Sequence, residues 1–323
     1  MNAQALEWVK IQLALLEGSS KHRAKELSDS LEFTGERFTP ECVREIWYEH
    51  FHRYTLAMSW CVNMHVLDAA CGEGYGSAIL AASAGSVAGV DISEKTIEHA
   101  RQRYEGMENL SFQVADCTSL PFAEHEFDRV VSFETLEHLA EQDRLLAEFS
   151  RVLKPEGVLI LSSPDKAVYS DQQNTSNEFH VRELYRHELE ALIGRHFGAW
   201  RLLGQKLMFH SAIWSLDGVK NVTVDQSSEG NQPQLPGINH SPMYFIALCA
   251  ADENALPVCA QRLWLFDDLE ESVYQHYHGE IRKNMAAGGV IAGLENEIAE
   301  LKSHAEKSLA TRLTWWQRWF GKT

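Results

Sequence analysis

Three clusters of residues have the types and spacing to do chemistry. The first is Asp68-Ala-Ala-Cys71-Gly72-Glu73-Gly74-Tyr75-Gly76, a glycine-rich turn between a strand-like and a helix-like run. Gly72 and Gly74 leave side chains out of a turn where a ligand must lie against the backbone. Asp91, followed by Ile92, closes the next strand-like run, where a carboxylate can accept the hydroxyls of a ribose. A third run ends in Ala115-Asp116-Cys117, which places Asp116 to accept from the exocyclic amine of an adenine ring.

The second cluster is Phe133-Glu134-Thr135-Leu136-Glu137-His138. Wound as a helix, it puts Glu134, Glu137 and His138 on one face through i, i+3 and i, i+4 spacing. Three readings follow. His138 acts alone as a general base, or the carboxylates and imidazole hold magnesium, manganese or zinc, or the glutamates only cap and solvate a helix. The third cluster is the C-terminal TRLTWWQRWFGKT, with Trp315, Trp316, Trp319 and Phe320 beside Arg312, Arg318 and Lys322. On a helix the aromatics share an arc, the composition of an element lying on an anionic membrane; a tail docked in a groove of the protein or of a partner shows the same pattern.

The elements that position these residues alternate. HVLDAA, SVAGVDI, LSFQVAD, FDRVVSF and GVLILSS read as strands. YGSAILAASA, EKTIEHARQRY and EQDRLLAEFSRVL read as the helices between them, with a short helix before the fourth strand. VRELYRHELEALIGRHF continues as a helix, and WRLLGQKLMFHSAIWSL and SPMYFIALCAA as a final pair of strands around a polar loop, Asp217 to His240. Apolar strands alternating with helices specify an α/β protein with a Rossmann-like, doubly wound, mostly parallel seven-stranded sheet. Residues 1–60 are expected to form an N-terminal helical cap, 61–251 the sheet domain, and 252–323 a helical tail with the boundary near Asp252. In that tail Ile291, Leu294, Ile298 and Leu301 fit heptad a and d positions; isoleucine at a with leucine at d favours a parallel homodimer, and a helix packed back on the domain shows the same spacing.

A net charge of −17 opposes nucleic-acid backbones and excludes a general DNA or RNA binder. Cys42, Cys61, Cys71, Cys117, Cys249 and Cys259 contain no CxxC pair, which argues for reduced thiols and a cytoplasmic chain. The N-terminal run has no small-residue cleavage pattern and is read as an amphipathic helix, not a signal peptide.

Val66 to Leu161 resembles the class I S-adenosylmethionine-dependent methyltransferases, in DAACGEGYG, in Asp91 and Asp116, and in PFAEHEFDRVVSFETLEHL followed by RVLKPEGVLILSSP. The resemblance implies S-adenosylmethionine as cofactor. Asp68, Gly72 and Gly74 would line its amino-acid end, Asp91 with Ile92 its ribose, and Asp116 with Cys117 its adenine. In a methyltransferase cap, Arg37 would pair with the cofactor carboxylate, and Phe38 or Tyr54 would close over the sulfonium. The Glu134, Glu137, His138 pattern is similar to one in metal-assisted sugar and quinone hydroxyl methyltransferases, where a further histidine follows the fifth strand; His180 would fill that place. TGERFTPE and HFHRY resemble methyltransferases of bacterial surface-polysaccharide and O-antigen synthesis. That likeness implies a carbohydrate or lipid-linked glycan acceptor at the inner membrane face. A quinone-like metabolite, or a scaffold without turnover, stands as the alternative.

Overall fold

The alternating runs build a nine-stranded sheet in the computed structural model, which describes residues 45–174, 176–207, 211–215, 240–259 and 263–266 and isolated helical positions between Lys283 and Leu301. Helix α1 (Glu45–Met58) leads into β1 (His65–Ala69), α2 (Tyr75–Ala81), β2 (Ser86–Asp91), α3 (Glu94–Arg103) and β3 (Leu110–Val114). Next come β4 (Phe127–Ser132), α4 (Gln142–Val152), β5 (Leu153–Pro164), α5 (Arg186–Ile193), β6 (Ala199–Leu207), β7 (Ser211–Ser215), β8 (Tyr244–Ala250) and β9 (Leu263–Phe266). Their spatial order is β3-β2-β1-β4-β5-β8-β6-β7-β9. Strands β1 to β5 pair in parallel, and β8 runs antiparallel between β5 and β6.

Each central strand is apolar on both faces, as a sheet covered on both sides requires. Val131, Val158 and Ile160 pack under α1 and α2 with Tyr54 and Ile79, while Val130, Leu159 and Leu161 meet Phe149 of α4 and Leu189 of α5. Helix α3 begins where the Ser93 hydroxyl accepts the Thr96 N–H, with Glu94 in the first turn. After β1 the chain builds outward to β3, then returns to place β4 on the other side of β1. That reversal opens a crevice at the carboxyl ends of β1 and β4, the place where open α/β sheets receive ligands.

Four expectations change. The seven-stranded core is present, but two antiparallel strands extend it: β7 pairs with β6, and β9 pairs with β7. Leu263–Phe266, expected to be helical, is strand because Trp264 meets Trp60 and Phe266 stacks on His52 of α1. No helix precedes β4, because Asp116 accepts both the backbone N–H and the hydroxyl of Thr118 and turns the chain there. The helix expected from Val181 starts only at Arg186, since Leu184 bridges to Asp165 and holds the preceding residues extended.

Residues 1–44 with Arg37, Phe38 and Cys42, residues 216–239, which include the expected polar loop except His240, and residues 302–323 with the aromatic end lie outside the described residues. In the second unit, from Asp268, Ile291, Leu294, Ile298 and Leu301 are helical and each more than half exposed. Among the described residues no helix is long and apolar enough to cross a membrane.

Candidate functional site

The turn after β1 works only with glycine at its tight points. Gly72 and Gly74 have φ of +55° and +88°, in the left-handed region. A Cβ on Gly74 would stand 2.6 Å from the Phe112 ring, whereas one on Gly72 would meet nothing within 4 Å. The backbone at Gly72 therefore faces open space. Asp91 holds that backbone in place: one carboxylate oxygen accepts the Gly72 N–H at 3.1 Å and the other the Ser93 N–H at 2.9 Å. Beside it Ile92 is 74% exposed, an apolar seat for a flat ring. Asp116 lies exposed at the neighbouring strand end, and its two bonds from Thr118 hold its carboxyl below the ordinary range. The Cys117 side chain is buried in the core, where burial pushes its thiol up to about 12. Open backbone, two strand-end carboxylates and an exposed isoleucine fit a nucleoside-bearing cofactor.

Asp68 is the floor of this turn. It is fully buried, and its oxygens accept the Tyr54 hydroxyl at 3.2 Å and the Ser77 hydroxyl at 2.6 Å. Tyr54 is thus a core residue rather than a lid, wedged against Tyr75 and Phe133. Burial raises the Asp68 carboxyl to about 7, against the opposing pull of its two hydrogen bonds. A carboxyl raised on folding contributes stability that is complete below its unfolded value and lost as pH rises through about 7. Asp68→Asn removes this dependence. Urea unfolding at pH 4.5 and pH 8 should show the variant gaining on the parent by about 3 kcal/mol as pH rises. Parallel pH profiles would refute it.

The second constellation follows β4. Glu134 has φ of +51°, and its N–H donates to the Ser162 hydroxyl, which in turn donates to its carboxylate at 2.6 Å. The same carboxylate lies 3.6 Å from Arg53 of α1. Arg53 is buried, donates to Gln205 of β6 at 3.0 Å and stands 4.8 Å over the Tyr244 ring of β8. A single 3₁₀ turn begins only at Leu136, so the expected helical face shared by Glu134, Glu137 and His138 does not form. Glu134 turns toward α1 and leaves the group.

His180 takes its place. Ligating atoms of Glu137, His138 and His180 lie within 4.8 Å of one another, and the two imidazoles meet edge to face at 5.0 Å. The segment after β5 delivers His180: a π-helical turn at Ala167–Asp171 stacks Tyr169 on its ring, and Arg182 N–H donates to the Glu137 carbonyl. Glu137 is buried, neither of its carboxylate oxygens has a hydrogen-bond partner, and one lies 3.9 Å from His138 Nε2. Burial, and then the charge of Glu134, hold its carboxyl well above the ordinary range. Such a buried, unsatisfied carboxylate calls for a proton or a cation. Sequence reasoning missed Arg53 as the partner of Glu134 and missed Glu183 altogether. The i, i+3 spacing of His180 and Glu183 is the one sequence signal that could have suggested the latter.

Residues 62–208 match a family model described as a methyltransferase domain. A probable S-adenosylmethionine-dependent methyltransferase of Mycolicibacterium smegmatis is 36% identical over 170 residues, covering 52% of this chain and 65% of the relative. One from Mycobacterium tuberculosis is 37% identical over 166 residues, covering 50% and 60%. A demethylmenaquinone methyltransferase of Clavibacter sepedonicus is 38% identical over 107 residues, covering 33% and 44%. The chain spans less than two thirds of the length of each of these relatives.

Proposed function

We propose that the chain is a class I S-adenosylmethionine-dependent methyltransferase, with its cofactor domain at residues 62–208, and that it moves a methyl group from that cofactor to a hydroxyl oxygen of a bacterial surface polysaccharide or its lipid-linked precursor. The observation that carries the cofactor half is the Asp91 carboxylate locked to the open Gly72 backbone at the sheet's switch point. Gly72 and Gly74 admit the amino-acid end above Asp68, Asp91 with Ile92 takes the ribose, and Asp116, with the backbone at Cys117, takes the adenine. S-adenosylmethionine supplies a methyl on a sulfonium, so the protein's task is to align an oxygen with it, exclude water and remove a proton.

Glu137, His138 and His180 are the group for that proton. His138 donates from Nδ1 to the Phe179 carbonyl at 3.0 Å, which leaves Nε2 as the basic nitrogen of the neutral ring. A divalent cation held by these three residues would acidify the hydroxyl to the same end. The Trp-rich basic sequence at 311–323 supports an acceptor carried on an anionic membrane, and the exposed stripe from Ile291 to Leu301 supports a homodimer. A small quinone-like acceptor is the second reading, favoured by the similarity to the demethylmenaquinone enzyme.

Calorimetric titration with S-adenosylmethionine and with S-adenosylhomocysteine tests the premise. Saturable binding is expected, weakened at least about 100-fold by Asp91→Ala, since that change removes the ribose acceptor and frees the Gly72 N–H. Folded protein that binds neither compound would leave only a scaffold role.

A further inference from the structure

Glu183 belongs to none of the assignments made so far, yet it makes two short bonds beside the second constellation. Its Oε1 accepts from His180 Nδ1 at 2.6 Å, its Oε2 accepts the Ser170 hydroxyl at 2.6 Å, and both the Glu183 and His180 side chains are 7% exposed. With the carboxylate as acceptor, the His180 proton sits on Nδ1. Asn177 agrees: its Oδ1 accepts the Phe179 N–H, which turns its amide nitrogen to donate to His180 Nε2 at 3.0 Å. His138 is oriented in the same sense by the Phe179 carbonyl. Two imidazoles each give the Nδ1 proton to an oxygen, and one ring nitrogen of each lies within 4.8 Å of a carboxylate oxygen of Glu137, which is buried with no hydrogen-bond partner.

We infer that Glu183 is a positioning residue: through His180 it makes Glu137, His138 and His180 a two-histidine, one-carboxylate centre for a borderline divalent transition ion such as Zn²⁺. The donor set decides the ion class, because magnesium and calcium take oxygen ligands almost exclusively whereas imidazole suits zinc and its neighbours. A histidine that binds such an ion gives its other N–H to a carboxylate or carbonyl, which fixes the ring and raises its basicity. The ion would also relieve the unpaired Glu137 carboxylate and displace the Asn177 amide from Nε2. This deepens the proton-removing role proposed above and rests on that reading for its purpose, although the ion site can be tested without methyl transfer.

The test uses full-length protein freed of metal, with Zn²⁺ affinity read by competition against a chromophoric chelator. Stoichiometric binding is expected, weakened about 10- to 100-fold by Glu183→Leu and largely restored by Glu183→Asp. Glu183→Gln, which keeps an acceptor but loses the charge, should give a smaller loss and covers the case in which Glu183→Leu does not fold. Long-range ¹H–¹⁵N correlation spectra of the metal-free parent should show the His180 proton on Nδ1. S-adenosylhomocysteine affinity should be the same in every variant, which separates loss of ion positioning from loss of fold. Absence of Zn²⁺ binding in protein that binds S-adenosylhomocysteine, a His180 proton on Nε2, or unchanged Zn²⁺ affinity in folded Glu183→Leu and Glu183→Gln would each overturn the assignment. Failure to bind S-adenosylhomocysteine would instead strike the methyltransferase reading.

Discussion

Arg53→Ala is expected to lower the unfolding free energy by about 3 to 5 kcal/mol, the range for removing one partner of a buried ion pair. Arg53 is among the largest fully buried side chains, and it joins α1 to β4, β6 and β8 through Glu134, Gln205 and Tyr244. Without it Gln205 loses a donor, and the Glu134 carboxyl keeps only the Ser162 hydroxyl as partner among the described residues. Arg53 is also imperfectly satisfied, since Nε and Nη2 are buried without a hydrogen-bond partner. Much of its desolvation cost is therefore not offset. Arg53→Met combined with Glu134→Gln removes both charges and fills the space, so this double variant should recover most of the loss. Urea midpoints of the single and double variants measure the coupling. A loss below about 1 kcal/mol for Arg53→Ala would show that the pair is not a structural hub.

Gly76→Ala should cost about 1 to 3 kcal/mol and weaken S-adenosylhomocysteine binding as well. A Cβ at this position would fall 2.0 Å from the Tyr54 ring, with two further ring atoms at 2.3 and 2.4 Å. The ring cannot move freely, because Tyr75 and Phe133 pack on it and its hydroxyl is bonded to Asp68. Displacing Tyr54 therefore disturbs the floor of the glycine turn proposed to hold the cofactor. Adding Tyr54→Leu makes room, so the two substitutions together should cost less than the sum of their separate effects. Simple additivity in thermal unfolding would show that the clash is relieved elsewhere.

What could be read from the chain was local. The glycine turn, Asp91 and Asp116 were legible because each sits at the end of an apolar run whose period names it as a strand, and strand ends in such sheets gather on one side. Glu134 was misread because helical spacing was carried back through a residue whose backbone is left-handed, which no pattern of side chains reveals. Arg53 was visible as a charge among aromatics, but its partners come from β4, β6 and β8, and Gln205 lies 152 residues away. Strand β9 escaped because four residues are too few to show a period, and its cause is tertiary: Trp60 and His52 await its rings. His180 was placed by resemblance, whereas Glu183 required the fold of the segment after β5.

The insertion of β8 between β5 and β6 also sets a schedule for synthesis. β5 has β4 on one side in the finished sheet, and the partner of its other edge, Tyr244–Ala250, is made only after about 80 further residues. During that interval an apolar strand presents unpaired backbone groups, the feature through which nascent chains capture one another. Slowing translation between β5 and β8 should therefore lengthen the chain's most vulnerable state, and a chaperone bound there would act mainly as a temporary neighbour for β5.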